Sequence, residues 1–324
     1  MPPTLLGITL VTFLLMDLAP SDRAVMQIPP GATNDAQVRV DSLRRLREHY
    51  GMIDLETGEP YSVWYRYGRW LTNAVQLQLA GPGESAQDFR SRVTAALPVT
   101  VLINFLALGL ALAVAIPLGA RLGMSTGTGA DRLISGTLFV VYGVPEFLVA
   151  TLLVLVFGGT WLFDWFPDAF LRSDGSDQWP AWRQLLDLAY HLVLPVATLA
   201  IGPCVVITRF LRNSVARVAA SDFVTNMRAW GLPEAVVRKR AVRNGLSPVV
   251  TLIGTLLPLL VSGSVVVEQV FSLPGMGRLA FGAVKAQDQG MVMALTLLVS
   301  VVTLMGLLLS DVLQRTVDPR VRLR

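Results

Sequence analysis

Few residues of this 324-residue chain can do chemistry on their own. It has one cysteine, Cys204, and two histidines, His49 and His191. No intrachain disulfide and no Cys- or His-rich metal centre can be assembled from these, so no metal site is assigned. The two lysines, Lys239 and Lys285, are followed by Arg240 and Ala286. A Gly-Lys-Ser/Thr phosphate loop is therefore absent, and any ATP that drives this protein must be bound by another chain. A hydrolase or lipid transferase working inside a membrane would need a serine–histidine pair, paired aspartates or a metal within it, and none is present. No residue is assigned a catalytic role. What remains are acids in apolar surroundings. Glu146 directly follows Pro145, and Glu268 precedes Pro274-Gly275-Met276-Gly277. A charge at bilayer depth costs at least ~2.5 kcal/mol on insertion scales, so Glu146 should face a cavity or a partner rather than lipid. Glu268 is either a hydrated interfacial acid or a hydrogen-bonding group that fixes the glycine-rich turn after it. Asp17 and Asp311 stand near the ends of apolar stretches and read as interfacial.

The elements that must position these acids are membrane-crossing helices. The chain is 53% hydrophobic and 15% charged, against about 25% charged in a soluble domain. Six apolar stretches stand out: Thr4–Leu18, Val99–Leu118, Leu133–Phe157, Leu188–Phe210, Val249–Val267 and Met291–Leu313. Most approach the ~20 residues that a helix needs to cross the hydrocarbon. The first is short and has no basic residue before it, unlike a secretory signal, so it reads as a true span lacking a few upstream residues. The expected fold is all-α with six transmembrane helices. Residues 1–20 form the first helix, 21–96 an outer insertion, 97–315 the five-helix domain and 316–324 a tail. Pro117, Pro145 and Pro258 are kink candidates.

Basic residues set the orientation. With the N-terminus inside, the inner segments hold fourteen lysines and arginines, from Arg121 and Arg132 to Arg324. The two short outer loops hold four: Arg172, Arg183, Arg278 and Lys285. Both termini are therefore expected inside. Six of the seven tryptophans (Trp64, Trp70, Trp161, Trp165, Trp179, Trp182) fall in the outer segments, at the headgroup level that indole favours. Within 21–96, helical spacing is expected at Val40, Leu43 and Leu46. It recurs at Trp64, Tyr67, Leu71 and Ala74, which suits a helix lying on the outer surface.

The inner loop 211–247 is the most informative segment. Its basic residues alone would suit a loop beside anionic lipid. Its punctuation says more. Ser221 or Asp222 can cap a short helix that carries Phe223, Met227 and Trp230 on one face. Gly231 can take the left-handed conformation that ends it. Pro233 suits the first turn of a second helix, with Glu234 near its positive end, running to Asn244-Gly245 before Ser247-Pro248 opens the fifth span. This is a helix–Gly–helix hairpin with Phe223, Met227 and Trp230 as knobs and the arginines orienting a partner.

Asp222-Phe223-Val224, Arg228-Ala229-Trp230-Gly231-Leu232 and Arg243-Asn244 resemble the cytoplasmic loop of binding-protein-dependent ABC import permeases, especially B-type subunits of dipeptide and oligopeptide transporters. Further matches follow in order along the chain. They are Leu18–Asp22, Leu97–Thr100, His191–Pro195, Glu268–Gly277 and Val317–Arg320. The loop departs from the family at Asn226 and Met227, where small residues are usual, and at Trp230, where lysine is frequent. Phe163–Pro167 and Trp179–Trp182 look like the branch that imports longer or modified peptides.

This resemblance implies a type I ABC importer fold in the bacterial inner membrane. It implies a second, homologous permease, two cytoplasmic ATPase subunits that hold the ATP and Mg, and a periplasmic or lipid-anchored substrate-binding protein. The chain itself would bind no cofactor, would touch membrane lipids and no nucleic acid, and would not be an enzyme. The implied ATPase-coupling residues are Asp222, Phe223, Met227, Arg228, Ala229, Trp230, Gly231, Leu232, Arg243 and Asn244. Pathway or gate candidates are Pro145, Glu146, Glu268, Pro274, Gly275 and Gly277. Glu146 either lines the pathway and attracts a cationic group, such as a peptide amino terminus, or makes a structural hydrogen bond to the companion permease, or is a neutral protonated acid in a helix contact. Nickel, glutathione and sugar importers share this framework, so the cargo stays open beside peptides.

Overall fold

A computed structural model describes residues 2–18, 59, 61–76, 86–159, 162–247, 249, 252, 256, 260, 263–286 and 288–317. The helix expected at Val40–Leu46 lies outside these residues. So do positions 19–22, Pro258 with most of the fifth apolar stretch, and residues 318–324 of the tail. The described chain is helical and contains no strand; Gly158 and Asp164 make one isolated antiparallel bridge. It divides into two compact units, Met1–Ala96 with Arg278–Val302, and Leu97–Gly277 with Thr303–Arg324.

In the first unit, α1 (Pro2–Asp17) packs against α2 (Val63–Val75). Ser62 caps α2 by accepting the Tyr65 amide at 3.3 Å. The face expected to carry Trp64 and Tyr67 is split. The Tyr67 ring meets Phe13 edge-on at 5.5 Å, and its hydroxyl pairs with Thr9 at 3.0 Å, whereas Trp64 is exposed. Asp17, expected merely to be interfacial, pairs with Arg66 at 2.6 Å and so ties the end of α1 to α2.

The second unit is built around two long helices, α3 (Ala86–Met124, of which Leu97 onward belongs here) and α6 (Ala181–Ala219). Along α3, Ile103, Ala107, Ala111, Ala115, Gly119 and Gly123 recur every four residues and are all buried. Such a ridge of small residues lets helix backbones approach closely, which matters in lipid, where apolar side chains gain little by leaving apolar surroundings. A Cβ on Gly119 would lie 2.8 Å from the Thr208 carbonyl oxygen, and one on Gly123 would lie 2.6 Å from Cβ of Val215. Pro117 lies inside α3, and Pro195 and Pro203 lie inside α6.

Between these helices the chain forms α4 (Gly129–Tyr142) and α5 (Glu146–Phe157), joined at an angle of 99°. The apolar stretch Leu133–Phe157 is therefore not one straight helix but two that meet at an elbow. Pro145 has no amide to continue the ladder, and it drives Val144 out of helical geometry. Gly143 closes α4 by returning its amide to Phe139 and Val140. At 12 residues, α5 is about 18 Å long, too short to cross a membrane alone. A single 3₁₀ turn, Ser176–Gln178, precedes α6. After α6 come α7 (Asp222–Ala229), α8 (Glu234–Gly245), α9 (Val265–Val270), α10 (Met276–Lys285) and α11 (Gln289–Val317). Among the described residues, α3, α6 and α11 each carry a stretch long and apolar enough to span a bilayer, and the bent α4–α5 pair makes a fourth.

Gly123→Val should lower the thermal stability of the detergent-solubilised protein by about 1–3 kcal/mol, because overpacking forces α3 away from α6. Gly109 on the same helix has nothing within 4 Å of an added Cβ. Gly109→Ala should therefore leave stability unchanged or raise it. Equal effects of the two changes would mean that the close approach carries no weight.

Candidate functional site

The hairpin forms as the residue pattern predicts, with shifts of about one position. Ser221 stands at the N-cap of α7, but its hydroxyl turns back to the Val218 carbonyl at 2.6 Å, and its carbonyl takes the amides of Val224 and Thr225. Gly231 has φ +73°, the left-handed conformation that a residue with a Cβ rarely adopts. Pro233 precedes α8 rather than opening it, and its carbonyl receives the amides of Val236 and Val237. Arg228 closes the turn by forking onto Glu234 at 2.8 and 3.2 Å. That hydrogen bond holds the Glu234 carboxyl below its ordinary range and lifts Arg228 above its own.

The expected three-knob face is corrected to two knobs. Met227 is buried with Val224, Val237 and Ala241, and these pack on Met124, Val218 and Leu232. Val224 and Met227, three apart, turn inward, and Phe223 and Trp230 stay outside. Phe223 is 43% exposed and Trp230 81% exposed. Asp222, Arg228, Ala229, Arg243 and Asn244 are exposed with them, as are Arg238, Lys239 and Arg240. The hairpin is thus a solvated, basic surface with two bare aromatic rings and a packed apolar underside. That underside joins it to the ends of α3 and α6. A Cβ on Gly245 would meet Val215 at 2.6 Å, so α8 rests on α6 almost backbone to side chain.

One ion pair went unseen in the sequence. Asp131, in the first turn of α4, accepts Arg212 Nε at 2.9 Å and Nη2 at 2.6 Å. It also takes the Gly127 amide at 2.9 Å and the Ser135 hydroxyl at 3.3 Å. The Asp131 side chain is 2% exposed, while Arg212 keeps 29%. This bidentate contact fixes the start of α4 to α6 one turn before the hairpin's own packing begins.

A second cluster surrounds Glu268, which is fully buried. Its carboxyl group accepts the Thr100 hydroxyl at 2.8 Å, and Thr100 in turn accepts the Met276 amide at 2.7 Å. A Cβ on Gly275 would fall 2.4 Å from that carboxyl carbon. One on Gly263 would fall 2.8 Å from its Oε1, and one on Gly277 3.1 Å from its Oε2. Three glycines therefore clear the space that this side chain fills. Glu268 thus sits inside the glycine-rich turn that follows it, bonded to Thr100 and away from the surface of this chain. Pro274 stands in that turn, beside the Gly275 amide that returns to the Leu273 carbonyl at 2.9 Å.

Glu146 lies elsewhere, at the elbow, in the first turn of α5 after Pro145. It is exposed, and its Oε2 accepts the Ser264 hydroxyl at 3.2 Å. His191 is buried in α6 and contacts Asp187, whose carboxylate takes the Ser173 amide and hydroxyl. Among the described residues no group of three His, Cys, Asp or Glu side chains could hold a metal.

Residues 115–323 match the family model of the binding-protein-dependent transport system inner membrane component. The chain is 30% identical over 324 residues to the oligopeptide transport system permease protein AppB of Bacillus subtilis (strain 168), covering 98% of this chain and 95% of that one. It is 34% identical over 227 residues to the peptidoglycan transport system permease protein YejB of Agrobacterium fabrum, covering 69% of this chain and 62% of that one.

The Asp131–Arg212 contact should respond unequally to its two truncations. Arg212→Ala strands a buried carboxylate and should cost about 3 kcal/mol or more of unfolding stability. Asp131→Ala leaves an arginine that already reaches water and should cost nearer 1 kcal/mol. Thermal unfolding of the two variants in one detergent measures both, and equal losses would refute the asymmetry.

Proposed function

The chain belongs to the inner membrane components of binding-protein-dependent transport systems, and we propose that it is the peptide-conducting permease subunit on which a cytoplasmic ATPase docks at Phe223 and Trp230. It is a multi-pass membrane permease subunit of an ABC importer. The peptide cargo is supported by relatives named for oligopeptide and peptidoglycan transport. The observation that carries the docking surface is the contrast within the hairpin, where Met227 and Val224 are sealed inside and Phe223 and Trp230 stand bare. Buried aromatic anchors are what protein interfaces use as hot spots, and the exposed arginines of α8 add orientation.

In this reading the chain performs no reaction. ATP and Mg are held by the partner ATPases, whose closure around ATP pushes on the hairpin and is reversed by hydrolysis. The apolar underside, Gly245 against Val215 and the Asp131–Arg212 contact pass that displacement to α6 and α4 as rigid bodies. A second permease completes the translocation path, a binding protein delivers cargo on the outer side, and both termini face the cytoplasm.

Phe223→Ala with Trp230→Ala should weaken ATPase binding to the reconstituted permease pair about 30-fold, or about 2 kcal/mol. Met227→Ala should instead loosen the hairpin, seen as faster proteolysis of 221–245. Full ATPase affinity in the double variant would remove the hairpin face from the docking role. Gly231→Val should block both docking and uptake while the protein stays in the membrane.

A further inference from the structure

The break between α4 and α5 places unwound backbone within a span. At membrane depth such backbone is tolerated only where protein buries it or where it lines a cavity. Here it adjoins two. One, of about 270 Å³, is lined by Asn104, Glu146, Leu199, Pro203 and Ser264 among others. The other, of about 200 Å³, shares Glu146, Leu199 and Pro203. Glu146 therefore stands where both cavities meet, at the point where the bent span turns.

The polar groups at this place are mostly acceptors. The Glu146 carboxylate receives one hydrogen bond, from Ser264 at 3.2 Å, and its other oxygen receives none from the described residues. The Asn104 amide nitrogen is committed to the Thr100 carbonyl at 2.8 Å, which leaves its oxygen as an acceptor. Pro203 has no amide to serve the Leu199 carbonyl one turn back. Among the described residues no lysine, arginine or histidine lines either cavity. A carboxylate among acceptors, with apolar walls and no resident cation, fits a group that brings several N–H donors and a positive charge. A volume of about 270 Å³ is below the usual range for a whole small-molecule ligand, so it admits an end group and not a peptide.

We propose that this cavity is a transient binding site for a primary ammonium group of the transported peptide, with Glu146 as the specificity-determining residue. The inference rests on the peptide reading above. The ammonium is either the peptide's amino terminus or a lysine side chain. Its charge meets the carboxylate, and its hydrogens meet Glu146, the Asn104 amide oxygen and the Leu199 carbonyl.

The test uses the whole importer in proteoliposomes: this chain, its companion permease, the ATPases and the binding protein. Uptake by Glu146→Gln is expressed relative to wild type for each peptide, which cancels the selection made by the binding protein. Four versions of one peptide are compared: amino terminus free or acetylated, each with and without one lysine. Uptake of ammonium-bearing versions should fall about tenfold, while the acetylated, lysine-free version keeps its rate and ATPase assembly is unchanged. The arm that falls identifies the amino terminus or the lysine as the source. Glu146→Asp should retain the preference. Equal loss for all four peptides, no loss for any, or failure of Glu146→Gln to assemble would each overturn the proposal, the last by assigning the carboxylate to a subunit contact. If the wild-type importer moves no peptide, the peptide reading itself fails and takes this inference with it.

Discussion

The second unit depends on how closely α3 can approach α6. Two helices in lipid gain little from burying leucines against each other, because the alternative neighbour is equally apolar. They gain from close van der Waals contact, and Gly119 and Gly123 allow it by presenting bare backbone to Thr208 and Val215. Once seated, α6 is the support on which α4, α5, α7, α8 and α9 all rest. Over its apolar stretch 56% of residues are buried, against 28% for α3, as expected of a helix with neighbours on most sides.

On that support the chain places two clusters of opposite character. At one end of α6 the contacts are apolar and end in a solvated hairpin, with the Asp131–Arg212 pair just above them. Near Pro203 the helix lies beside the elbow of the bent span, where the packing opens into cavities. The two are joined by contiguous rigid segments, α6 itself and the 14 residues of α4 between Gly129 and Tyr142. A movement of the hairpin therefore has a packed route to the elbow at Gly143–Pro145.

The hairpin was legible because its information is local. Cap, glycine and proline each act within a turn of themselves, so residues 221–245 read correctly to within about one position. Met227 was misplaced because it lies between Phe223 and Val224 around the helix, on the boundary of its two faces, where periodicity does not decide. The bent span was masked by its own hydrophobicity, since a mostly apolar stretch of 25 residues looks continuous and a lone proline is tolerated in membrane helices. The α3 ridge had a readable signal in Gly119-x-x-x-Gly123, which went unused. Asp131 with Arg212 had none, because the partners stand 81 positions apart and each looks like an ordinary charge at a span end. The nest around Glu268 was half legible: the glycines after it announce tight geometry, but Thr100 comes from another helix.

That distance between Asp131 and Arg212 also has a meaning in time. A ribosome adding about 5–20 residues per second releases Arg212 roughly 4–16 s after Asp131. Throughout that interval the carboxylate has only the Gly127 amide and local hydroxyls for company, and α5 is too short to hold itself across the bilayer. The start of α4 can therefore reach its final anchorage only after α6 has been made. The seat of the bent pair is thus fixed from behind, by a helix that follows it in the chain.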